Sequence, residues 1–156
     1  MSVVSRSRRG AVAAAQVRGL MTTCFATIVI LLIEYGLGMY VNFYTRLPRA
    51  DIGSGTATAF GRALTNGPAG LTIHVIVGII LLASALTAIW RASTVRSSAL
   101  VGVTFLGLVA VIVAGIAGSN FVNDPSAGSS MLMAIMAGVA ILIYALTMFL
   151  AAVRRV

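Results

Sequence analysis

The residues able to do chemistry in this chain are few, and most sit inside apolar sequence. His74 is the only histidine. Glu34 lies within an apolar run, whereas the other two carboxyls, Asp51 and Asp124, lie outside the long ones. An imidazole in such a setting is a metal or haem ligand, a proton relay, or a bundle residue satisfied by a neighbour. A carboxyl there carries a proton, orients an imidazole, or sits protonated and hydrogen-bonded to the next helix. Met131, Met133 and Met136 add thioethers, which fill gaps in packing and also serve as haem axial ligands opposite a histidine. Asn42, Asn120 and Asn123 are the remaining polar groups near these positions. Three acidic residues and one histidine are too few for a rich metal site. No Gly-rich phosphate loop with a lysine, no Cys/His spacing for zinc and no positioned nucleophile is present. Cys24 is the sole cysteine and forms no internal disulfide.

The elements that must position these groups are set by composition. Of 156 residues, 60% are apolar and only 9% charged, and the mean hydropathy is +1.06. A soluble domain of this size cannot hide that much apolar surface, so lipid must solvate much of it. Four apolar runs, 20–43, 69–90, 99–121 and 130–153, each reach the roughly 20 residues needed to cross a hydrocarbon core of about 30 Å. Transmembrane strands are half as long and alternate in polarity, which these runs do not. The first run follows a basic start, as a signal peptide would. It is too long for one, contains Glu34 and ends in no small-x-small site, so it reads as a retained span. The expected fold is all-α: an antiparallel four-helix bundle of transmembrane helices, preceded by a basic tail over 1–19.

Arginine placement orients the bundle. All eleven basic residues are arginine. Eight fall on one side: Arg6, Arg8, Arg9 and Arg18 before the first span, Arg91 and Arg96 after the second, and Arg154 and Arg155 after the fourth. The opposite side carries Arg46, Arg49 and Arg62, diluted over the 44–68 loop with Asp51. The positive-inside rule puts both termini in the cytoplasm, in a cell inner membrane. Trp90 then marks the inner boundary, and Tyr40 and Tyr44 the outer one. These arginines are not interleaved with exposed aromatics, so nucleic acid is not an expected partner. The lipid bilayer is, together with other membrane subunits or further copies of the chain. In the 44–68 loop, Gly53-Ser54-Gly55 and Asn66-Gly67-Pro68 are turn chemistry. Between them, 56–64 fits a short surface helix with Phe60 and Leu64 toward the membrane. The third loop, 120–129, is rich in Asn, Asp, Pro, Gly and Ser.

Depth brings the reactive groups to one level. At 1.5 Å per residue, Glu34 and His74 both fall roughly 8 to 15 Å below the outer interface, so a contact between them is geometrically allowed. Asn42, Asn120, Met131 and Met133 reach the same zone, while the inner half of the spans holds no ionisable residue. The glycines read mainly as close helix contacts. Gly78, one turn after His74 and on its face, would also give clearance to a flat ligand.

The segment Leu32-Ile33-Glu34-Tyr35-Gly36-Leu37-Gly38-Met39-Tyr40-Val41, an outer loop, and then Thr72-Ile73-His74 resemble one four-helix half of the haem A synthase family. The arginine-only basic set and Ala/Val/Gly richness are also similar to small four-span membrane proteins of high-GC actinobacteria. The first resemblance implies a haem ligand at His74, the second-span position. At the fourth-span position this chain carries Met131 or Met133 in place of histidine, and Leu71 stands where the family has an acidic residue. Those departures speak against haem A synthesis and leave His or His/Met ligation of haem b open. Three readings follow: a non-catalytic subunit or assembly factor of a membrane complex, which is placed first; a b-type haem or quinone-associated redox membrane protein with His74 as ligand, and Met131 or Met133 opposite it in the haem case; and an oligomeric proton-coupled carrier using Glu34.

Overall fold

A computed structural model describes residues 3–46 and 52–153, with side chains from residue 10 onward; Arg49, Asp51, Arg154 and Arg155 lie outside the described residues. Five helices form: α1 (Val3–Tyr44), α2 (Thr56–Thr65), α3 (Ala69–Thr94), α4 (Ser98–Asn123) and α5 (Ala127–Val153). Four of them are long and apolar enough to cross a membrane. The protein is a multi-pass membrane protein built as an all-helical bundle.

Each helix outruns its apolar run, because hydropathy marks the thickness of lipid while backbone hydrogen bonding continues beyond it. The difference is largest in α1. Its 42 residues extend about 63 Å at 1.5 Å per residue, so the arginine-rich segment is helical from Val3 and continuous with the first span. The loop expected over 120–129 shrinks to 124–126. There Ser126 Oγ accepts from Ser129 N at 3.2 Å and starts α5.

Neighbours are antiparallel and close a ring: α1 packs on α3, α3 on α4, α4 on α5, and α5 on α1, with no close backbone approach across either diagonal among the described residues. The α3–α4 turn is only three residues long, with Arg96 at φ 55° and Ser97 capping Leu100 N at 3.4 Å. Large side chains such as Leu32, Ile33, Ile80, Leu142 and Phe149 project outward. In water that surface would be a liability; in lipid it is the solvated face.

Two apolar clusters hold the bundle. The larger runs from Leu20, Cys24 and Ala92 through Leu100 and Ala151 up to Leu31, Leu81 and Ala140. Tyr144 is fully buried in it, lodged against Gly107, where a Cβ would stand 2.9 Å from Tyr144 Cζ. Thr27 and Ser84 cross-link α1 and α3 by a hydroxyl–hydroxyl bond of 2.8 Å. The smaller cluster joins Val41, Leu71 and Val122 to Ala59 and Ala63 of α2. Helix α2 therefore caps one end, called the capped end below. Its Ala face is buried, and Phe60 and Leu64 are more exposed.

The cap is fastened by asparagines. Gly53 and Gly55 adopt φ 75° and 89°, a left-handed conformation that glycine reaches without strain. This turns their amides onto Asn123: Gly53 N donates to its carbonyl at 2.9 Å, and Gly55 N to Oδ1 at 2.7 Å. Thr56 Oγ1 donates to Asn120 Oδ1 at 3.0 Å, and Thr72 Oγ1 to the Ala63 carbonyl at 2.9 Å.

Candidate functional site: a carboxyl–imidazole pair in a bundle cavity

Between the two clusters the bundle is not filled. A cavity of about 360 Å³ lies there, lined by all five helices. Its cause is residue size: Gly78, Ala114, Gly115, Gly118 and Ala137 line it from α3, α4 and α5, and none reaches far enough to close the gap. A volume in this range is that of a small-molecule site.

Glu34 and His74 project into this space from α1 and α3. His74 Nδ1 lies 3.0 Å from Glu34 Oε1, with both side chains about 15% exposed. The proximity that helix depth allowed is therefore realised. The contact is close in distance but off the line of an aligned hydrogen bond, and Nδ1 and Glu34 Oε2 are both buried with no hydrogen-bond partner. It is an ion pair when the imidazole is protonated and a dipolar contact when it is not. Leaving such atoms unsatisfied costs about 1–3 kcal/mol each, more where no water can substitute.

Two glycines make room for the pair, and a third for Met133 beside it. At Gly78 a Cβ would stand 3.0 Å from Glu34 Oε1, so the clearance on the His74 face serves the carboxyl of the facing helix. At Gly38 a Cβ would meet His74 Cε1 at 3.3 Å, Met133 Cε at 3.6 Å and His74 Nε2 at 3.8 Å. Gly118 gives the same clearance to Met133, whose Sδ would lie 3.2 Å from a Cβ there. The Met133 thioether and the Nε2 edge of His74 thus converge over Gly38. Gly115 differs, since a Cβ there meets nothing.

The other polar and thioether positions separate into groups. Asn42 lines the cavity. Asn120 is engaged by Thr56 and belongs to the fastening of α2. Met131 is 65% exposed and lines a shallow groove with Asn42, Phe121 and Pro125 rather than the cavity. Among the described residues, no group of three or more His, Cys, Asp or Glu comes together.

The cavity is not sealed. Ile79 and Leu82 of α3 and Ile112 and Ile116 of α4 line it while being substantially exposed, and Tyr35 and Met39 do the same on α1. Phe60 of α2 lines it from the capped end. Gly38, Gly115, Gly118 and Phe60 also line the cavity, beyond the site positions that the sequence pattern marks out. A signal existed for Gly38, which follows Glu34 by one helical turn and so shares its face.

No family model, curated protein or solved structure matches the chain.

Proposed function

We propose that the protein is a non-catalytic membrane subunit that binds a small, neutral, largely apolar molecule in the capped half of its bundle, with Glu34 and His74 holding its polar group. The observation that carries this reading is the partnerless Glu34 Oε2 beside His74 inside an apolar cavity of about 360 Å³. A bound polar group would supply the missing hydrogen bond, and an apolar body would fill space the side chains leave empty. Gly36, Gly102 and Gly138 face open space, which suits close approach by helices of a larger membrane complex. In this reading both termini are cytoplasmic and the cavity lies toward the extracytoplasmic face, as the arginine distribution requires.

The test is chemical analysis of what the protein retains. Solvent extracts of the purified wild type should contain a near-stoichiometric neutral lipophile that is absent from Gly115→Leu. That substitution adds a branched side chain on the cavity lining, and its Cβ touches no protein atom. Identical extracts from both would end the proposal.

A second reading, haem b, rests on one specific observation. Glu34 Oε1 lies 3.0 Å from Nδ1, while Nε2 and the Met133 methyl both border Gly38; a small turn of the ring would give the arrangement by which a carboxylate orients a ligating imidazole. Protein from haem-replete cells should then show a Soret band that is lost in His74→Ala and kept in Glu34→Gln. A colourless preparation would end the haem reading and leave the first one standing.

A further inference from the structure

Taking the binding reading above as its premise, we propose that the occupant is a quinol: a hydroxylated aromatic head on an apolar tail, entering sideways from the lipid between α3 and α4.

The charge pattern removes the ionic alternatives. Among the described residues, the cavity lining contains no arginine, and its one acidic group is Glu34. A phosphate or fatty-acid head would meet only His74, whose charge when protonated is already balanced by Glu34, and an ionised Glu34 would repel it. The head must be uncharged.

Hydrogen-bond polarity narrows it further. When Nδ1 of His74 carries the ring proton toward Glu34, both Glu34 Oε2 and His74 Nε2 present lone pairs. Oε2 is buried and partnerless. Two acceptors on adjoining side chains call for a ligand with O–H donors on a rigid frame. A ring with two hydroxyls supplies that, and a simple alcohol supplies one donor. The lining is otherwise largely apolar and includes the aromatic residues Tyr35, Phe60 and Phe121, which suit a flat head.

The route follows from exposure. Ile79, Leu82, Ile112 and Ile116 each line the cavity and also face outward. On membrane-spanning helices, outward is lipid. The mouth is therefore apolar on both jambs and opens at the level of the acyl chains, while α2, packed on α3 and α4, covers the end above it. A tail can leave through this mouth into the bilayer while the head stays on Glu34 and His74.

The experiment is calorimetric titration of the full chain in lipid nanodiscs, under anaerobic conditions, with a decyl-substituted benzoquinol, its quinone and 1-decanol. The quinol should bind at least about tenfold more tightly than either comparison ligand, since they lack one or both O–H donors. Glu34→Gln should weaken the quinol by about tenfold and leave 1-decanol nearly unchanged. Gly115→Leu should abolish binding of all three, with circular dichroism confirming retained helix. Equal affinity for quinol and 1-decanol would overturn the quinol assignment and leave the cavity's binding role intact. Failure of all three ligands, together with identical wild-type and Gly115→Leu solvent extracts, would overturn both.

Discussion

At the scale of single residues, the site depends as much on missing Cβ atoms as on the groups that do chemistry. Glu34 Oε1 sits where a Cβ at residue 78 would crowd it, and His74 and Met133 share the space over Gly38. Gly78→Ala should push the carboxyl off Nδ1, because a contact of 3.0 Å to Oε1 must open. The sole histidine makes this directly visible. In ¹⁵N-histidine-labelled protein the imidazole resonances should move in Gly78→Ala and stay in place in Gly102→Ala, whose added methyl meets nothing. Unchanged resonances in Gly78→Ala would show that the carboxyl does not set the state of the ring. Glu34 was legible as a costly polar group in lipid, and His74 likewise. Their partnership could be judged only by depth, because sequence counts turns along a helix and not which way a turn faces its neighbour.

At the scale of elements, two local devices set the edges of the cavity. Below it, Tyr144 is seated against Gly107. Gly107→Ala should destabilise the bundle by about 1–3 kcal/mol through overpacking, read as a lowered unfolding midpoint in detergent. A stability equal to wild type would mean that the α4–α5 contact relaxes freely. Above it, α2 hangs on Asn120 and Asn123. Asn123→Ala removes the acceptor of Gly55 N and should cost about 1 kcal/mol, confined to the cap. Amide exchange should quicken in 53–65 and not in α3–α5. The amphipathic character of 56–64 and the turn residues around it were readable in the sequence. The asparagine tie-down was not, because it joins residues 64 and 68 positions apart.

At the scale of the whole molecule, the ring of four antiparallel helices leaves the cavity nearer one face of the membrane than the other. The arginine distribution predicts which face. In a Cys24→Ser background, Thr65→Cys at the capped end should react with a membrane-impermeant maleimide in intact cells. Thr94→Cys, at the opposite end of α3, should react only after permeabilisation. The reverse pattern would invert the topology and place the cavity toward the cytoplasm.

Sequence alone determined that there are four spans, roughly where each begins and ends, and which polar groups share a depth. These are one-dimensional properties: the transfer of apolar residues into lipid depends on a segment's length and composition. Tertiary structure decided which faces meet. Helices apolar all round carry no polar stripe to set their rotation about the axis, so their facing sides follow from interdigitated packing, with Gly107 under Tyr144 and Gly78 under Glu34. That packing is also what left a space between two clusters, because no run of residues in the chain records the void that small side chains from several helices leave when they come to the same level.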